Sequence, residues 1–139
     1  MELNILRADP AGNITVFVLD PVEKAQRAAI AEKIMAIPAL KAEQVGYACA
    51  AEDDVDGHME MMGGEFCGNA TRAYGMYIAQ QKGGLSSVRL RVSGCDHAVT
   101  AQVDLKSGTA RAEMPCPRSV KRVTVNGHEG TLVDLTGID

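Results

Sequence analysis

Between Ala70 and Gln81 the apolar residues Ala70, Ala73, Tyr74, Tyr77 and Ile78 recur at i, i+3, i+4, i+7 and i+8, while Met76 and Ala79 carry apolar surface onto the remaining side. This pattern predicts a helix buried on most of its circumference and stopped by Gly83-Gly84. A helix of that kind must be wrapped by other elements. The sequence around it supplies strands to do so. Val88, Leu90 and Val92 alternate with Ser87, Arg89, Arg91 and Ser93, the period-2 pattern of a strand with one buried and one wet face. Turn signals follow at Ser93-Gly94, Lys106-Ser107-Gly108 and Asn126-Gly127, the last a strong two-residue hairpin signal.

The first half reads as strands around one more helix. Ile5 to Ala8 and Ile14 to Leu19 form a predicted β-hairpin across the turn cluster Asp9-Pro10-Ala11-Gly12-Asn13. Asp20-Pro21-Val22-Glu23 has the composition of a helix start, with Asp20 as cap and Pro21 at the first helical position. Ile30, Ile34 and Ile37 continue one face of that helix up to Pro38. Val45 to Ala50 and His58 to Met62 read as further strands, separated by the acidic turn Glu52-Asp53-Asp54-Val55-Asp56-Gly57. As a calcium loop that turn fails, because its twelfth position is Gly63 where a bidentate Glu is required. The expected class is α+β, with a curved, mostly antiparallel sheet wrapped around a central helix, and residues 1–139 forming a single domain.

Composition narrows the function. At 139 residues, 46% hydrophobic and 23% charged, the chain has the balance of one globular domain, able to bury roughly two thirds of its unfolded surface. A net charge of −4 with scattered Lys and Arg argues against a nucleic-acid partner. No apolar run approaches the length of a membrane span and the start carries no basic leader, so a cytoplasmic location is expected. In a reducing compartment Cys49, Cys67, Cys95 and Cys116 are expected as thiols, and none has Cys-x-x-Cys spacing. Cys95-Asp96-His97 sets a thiol near an imidazole, but neighbours in a strand or turn are expected to point apart.

The segment Gly63-Gly64-Glu65-Phe66-Cys67-Gly68-Asn69-Ala70-Thr71-Arg72 carries the chemistry. Gly63 and Gly68 are spaced like a phosphate loop, but Asn69-Ala70 stands where Lys and Ser or Thr are needed. Asn69 reads as a helix N-cap, placing Cys67 two residues before the start and the unpaired N–H groups of Ala70, Thr71 and Arg72 after it. A helix N-terminus favours negative charge. One short segment can therefore serve a thiolate base and grip an anionic substrate. The competing reading is a glycine-rich turn around a buried Cys.

Cys67-Gly68-Asn69, and Gly12-Asn13 ahead of an apolar strand, resemble the motifs of the diaminopimelate epimerase superfamily. The likeness in element order runs along nearly the whole chain. Ala70-Thr71 replaces the Gly-Ala of diaminopimelate epimerases, and His58-Met59-Glu60-Met61 stands where those enzymes read their substrate. In its wording the Cys motif is closer to the branch that racemises histidine for opine-type metallophores.

The resemblance implies a diaminopimelate epimerase-like lobe that inverts an amino-acid α-carbon without a cofactor. Cys67 would exchange the α-proton. Gly68, Asn69 and Ala70 would hold the α-carboxylate, Asn13 would contact the amino acid, and His58 is the further candidate for substrate contact. Inversion needs a base on one face and an acid on the other, and the resemblance implies one Cys per lobe of a two-lobed enzyme. The chain is then an N-terminal catalytic lobe whose partner is either a C-terminal lobe or a second copy of itself. No metal is expected. The rival readings are a diaminopimelate epimerase and a non-catalytic lobe that only binds an amino acid.

Overall fold

The computed structural model of the chain describes residues 2–135. Its elements run in the order β1 (Ile5–Ala8), β2 (Thr15–Val18), α1 (Lys24–Met35), β3 (Gln44–Cys49), β4 (Gly57–Met61), α2 (Gly68–Gln81), β5 (Ser87–Val92), β6 (Val99–Asp104), β7 (Thr109–Ala112), β8 (Ser119–Val125) and β9 (His128–Asp134). Seven strands make one sheet in sequence order, β1 to β7, and β8 and β9 form a separate hairpin. The fold is α+β and the sheet is mostly antiparallel. Its two parallel pairs, β2 with β3 and β4 with β5, are the pairs joined through α1 and α2, as parallel neighbours require a crossover.

The two helices cover opposite faces. Alternation along β3 sends Val45 and Tyr47 to the layer that packs with Ile30, Ala31 and Ile34 of α1. Along β4, Met59 and Met61 point the other way, into the larger core with Tyr74 and Ile78 of α2, Phe17, Leu90 and Val99. Phe17 and Tyr74 meet with ring centroids 5.4 Å apart, a tilted geometry that aromatic pairs favour. Gly46 makes this possible. A Cβ there would stand 2.8 Å from the Phe17 ring.

Two expectations are corrected. Asp20 does not cap α1: its carboxylate accepts from the Asn4 N–H at 2.5 Å and the Asn4 side-chain amide at 3.1 Å, and the helix starts at Lys24 with Glu23 as an N-cap lacking a side-chain bond. Ile37 lies beyond the end of α1 and is 46% exposed, because the helix stops at Met35. Both expected helices are present, α2 in the larger core on one face of the sheet and α1 on the other. Hairpin β8–β9 turns at Asn126-Gly127, both residues with positive φ as a tight hairpin needs. Val120, Val125, Leu132 and Val133 on it are exposed. None of the helices described is long and apolar enough to cross a membrane.

On the α1 side, Arg27 pairs with Glu60 and lies over the Tyr47 ring. Burial raises the Glu60 carboxyl, but the hydrogen bond and charge of Arg27 outweigh it and hold the group below its ordinary 4.5. A lowered folded value means stability that is present above the unfolded value and lost as pH falls through the folded one. Glu60→Gln is therefore expected to cost about 2 kcal/mol at neutral pH and to reduce the loss of stability below pH 4.5. Urea midpoints taken at neutral and acid pH check both parts.

Candidate functional site

Helix α2 begins two residues earlier than its apolar pattern implies. Gly68 is its first residue and Cys67, extended at φ −131° and ψ 111°, is the N-cap, so Asn69 sits inside the first turn and does not cap it. The Cys67 Sγ accepts from the Ala70 N–H at 3.4 Å. The Cys67 carbonyl accepts twice, from the Thr71 N–H at 2.9 Å and the Thr71 hydroxyl at 2.8 Å. Thr71 is fully buried, which locks the backbone on which the thiol is carried. A thiol is a poorer capping acceptor than a hydroxyl or carboxylate, and its place at the cap aims the sulfur at the positive end of α2. The first-turn N–H groups of Gly68 and Asn69 have no intrahelical acceptor.

An amide network reaches the sulfur through Gln44. Gln44, the first residue of β3, donates Nε2–H to Cys67 Sγ at 3.2 Å, and its Oε1 lies 3.6 Å from the same sulfur. The same Nε2 is 3.0 Å from Asn13 Oδ1 and 2.7 Å from Thr15 Oγ1. Asn69 donates to Asn13 Oδ1 at 3.2 Å, and Asn13 donates to Glu43 at 3.0 Å. The network depends on parallel pairing, because the register Thr15↔Gln44 brings the starts of β2 and β3 to the same end of the sheet. Antiparallel β4 finishes at that end too, with Met61 opposite Gly46, so the Gly63–Cys67 loop has only a short path to travel.

The loop is held from behind. Ser93 donates to the Glu65 carbonyl at 2.7 Å and accepts from the Met61 N–H at 2.8 Å. Gly94 (φ +72°) presses against the backbone of Glu65 and Phe66. Cys67 itself is half-buried. It lies outside the clefts of about 560 Å³ along β5–β7 and about 440 Å³ between the end of β1, α2 and β7.

Cys67, Gly68, Asn69, Ala70 and Asn13 are thus brought together. His58 is not. Alternation in β4 puts His58 and Glu60 on the α1 side, whereas Met59 and Met61 face α2; His58 instead stands opposite Cys49. Cys95 and His97 do approach each other, with Sγ 3.9 Å from each ring nitrogen, because two turn residues can curl together where strand neighbours diverge. Sequence reasoning missed Gln44, Thr15 and Thr71. Thr71 lay within the motif, but Gln44 and Thr15 become visible only once β2 and β3 are known to be parallel and in register.

Gln44→Glu would set a carboxylate within about 3.2 Å of the sulfur, where like charge opposes the thiolate. Alkylation of Cys67 by iodoacetamide at neutral pH is expected to slow about tenfold, with Gln44→Leu giving a smaller change. Mass spectrometry of the labelled peptide checks it.

These features define a class: α+β domains that present a cysteine thiol at a helix N-terminus beside a network of amide side chains. Residues 2–138 match the family described as the histidine racemase CntK N-terminal domain, and the chain belongs to that family. It is 31% identical over 146 residues to a histidine racemase of Fusobacterium nucleatum subsp. nucleatum, covering 99% of this chain and 52% of that protein. To a histidine racemase of Staphylococcus aureus it is 32% identical over 122 residues, covering 85% of this chain and 44% of the relative. The chain spans about half the length of the curated relatives it matches.

Proposed function

We propose that the chain is the Cys67-bearing N-terminal lobe, of diaminopimelate epimerase-like fold, of a cofactor-independent histidine racemase. One observation carries this reading: Cys67 caps α2 while the amides of Gln44, Asn13 and Asn69 crowd the same point. A base that removes an α-proton must stand where its negative form is tolerated, and the helix N-terminus supplies that field. The N–H groups of Gly68 and Asn69 are donors for the α-carboxylate, which the same field attracts. Asn13 and Gln44 each offer a donor and an acceptor, suited to the α-amino group and to the thiol in either protonation state.

Inversion requires a second acid–base group on the opposite face of the α-carbon. The length of the relatives supports a second lobe as its source, and a second copy of this chain is the alternative. That the relatives are histidine racemases supports histidine as substrate over diaminopimelate. The testing experiment follows α-proton exchange of L-histidine in deuterated water by NMR, with meso-diaminopimelate in parallel and protein concentration varied. Exchange of histidine that Cys67→Ser removes supports the reading. A quadratic dependence on chain concentration would assign the second base to another copy. Faster exchange of diaminopimelate, or exchange that survives Cys67→Ser, would overturn it.

A further inference from the structure

On the face of the sheet away from Cys67, three side chains of different ligand type converge. Cys49 and His58 are direct partners across antiparallel β3 and β4, and Glu60 lies two residues along β4 on the same side. Directly opposed residues hold their side chains close. A thiol sulfur, an imidazole nitrogen and a carboxylate oxygen consequently lie within 4.8 Å of one another. All three residues are half-buried, His58 and Glu60 with side chains 21% and 22% exposed.

The orientation of His58 is informative. Its Nδ1 lies 3.3 Å from the Ala50 carbonyl, an acceptor only, so Nδ1 carries the hydrogen. Nε2 is thereby turned toward Glu60 Oε1 at 3.7 Å. Lys24 Nζ approaches the same Oε1 at 3.6 Å, so this oxygen already gathers positive charge. Metal-bound imidazoles commonly give their other N–H to a backbone carbonyl in this way, which fixes tautomer and ring angle.

We propose that Cys49, His58 and Glu60 form a three-ligand site for a borderline divalent ion of the Zn²⁺ type. One thiolate, one imidazole and one carboxylate suit that ion, and three protein ligands leave a fourth position for water. Arg27 is the gate. It contacts Glu60 and lies 3.5 Å from Cys49 Sγ through Nη2, so its guanidinium holds the place of the metal charge. It keeps other anchors when displaced, since Nε donates to the Val22 carbonyl at 3.2 Å and the guanidinium rests 5.1 Å above the Tyr47 ring.

Binding replaces the Cys49 S–H bond with a sulfur–metal bond, and the proton leaves to solvent; no electrons are transferred. Burial pushes the Cys49 thiol up, Glu60 adds to this, and Arg27 and Lys24 oppose it. Arg27 and Lys24 from α1, His58 and Glu60 from β4 and Tyr74 from α2 are the titratable groups around the sulfur, and the Tyr47 carbonyl lies 3.6 Å from it.

The site is remote from the thiol at the head of α2. Gln44 and Cys49 are the two ends of β3, separated by about 17 Å at about 3.3 Å per residue, and the ion would sit on the opposite face. Its role is to pin β3 to β4. The inference does not rest on the proposed racemase activity.

Calorimetric titration of the chelator-stripped chain with Zn²⁺ tests it, alongside Co²⁺ absorption to report thiolate coordination. One ion per chain is expected, with affinity at least about tenfold weaker in Cys49→Ser and His58→Gln and tighter in Arg27→Gln. Circular dichroism verifies that each variant is folded. If Arg27→Gln does not fold, the thiolate-to-cobalt band, present in the unaltered chain and lost in Cys49→Ser, carries the test. Cys95→Ser is the control, because Cys95, Asp96 and His97 form a second, more exposed group, and it should leave binding unchanged. No saturable binding, binding unaffected by Cys49→Ser, or binding lost in Cys95→Ser would overturn the proposal.

Discussion

Cys67→Ser is expected to lower α-proton exchange of histidine by about 10²–10⁴-fold, the usual contribution of a positioned acid–base group, with no loss of stability. The second half of that expectation separates chemistry from folding. Cys67 is the N-cap of α2, its sulfur accepting from the Ala70 N–H at 3.4 Å. Serine is a preferred capping residue and accepts the same bond with a stronger acceptor. The buried Thr71 bonds the Cys67 carbonyl, which the substitution leaves in place. The unfolding midpoint should therefore hold or rise slightly while exchange disappears. A fall in both together would mean that the thiol is structural and would remove Cys67 from the chemistry.

The second large effect is expected at a residue with no chemistry of its own. Gly94 has φ +72°, and a Cβ there would stand 2.2 Å from the Phe66 nitrogen and 2.8 Å from the Glu65 carbonyl carbon. Backbone cannot swing aside as a side chain can. Steric overlap and left-handed strain add, so Gly94→Ala is expected to destabilise the fold by about 3 kcal/mol. Urea denaturation reads the loss as a lower midpoint. The displaced loop leads directly into Cys67, so Cys67 alkylation should change in the same variant. Gly64→Ala is the internal comparison: it also has positive φ (+77°), but nothing lies within 4 Å of its Cβ position. Its cost should be the backbone term alone, about 1 kcal/mol.

Most of the elements were legible because their signals are local. The alternation of Val88, Leu90 and Val92, the Asn126-Gly127 turn and the apolar run from Ala70 to Ile78 each specify structure within a few residues, and β5, the β8–β9 hairpin and α2 follow them. What misled was local competition. Asp20 looks like a cap beside Pro21, yet Asn4, sixteen residues earlier, takes its carboxylate. Asn69 looks like a cap in the same way, yet the helix reaches back to Gly68. The site was half legible. Cys67, Gly68, Asn69 and Asn13 are marked by motif, whereas Gln44 and Thr15 join them through a parallel register between strands that a twelve-residue helix separates. His58 was misplaced for the opposite reason, since its position in the chain said nothing about which face of β4 it takes.

The parallel pair β4 and β5, with α2 crossing between them, is one of the two units of α/β character in this mostly antiparallel sheet. In open α/β sheets ligands gather beyond the carboxyl ends of the strands, where the crossover helix presents its N-terminus. β4 runs out at Met61 and α2 opens at Gly68 on that same side, so Cys67 occupies the position where such a unit ordinarily receives a phosphate or a carboxylate. The antiparallel strands around it act as scaffolding. The Cys67 thiol thus stands at an anion cradle that the βαβ connection produces by geometry alone, its sulfur accepting from the first turn of α2.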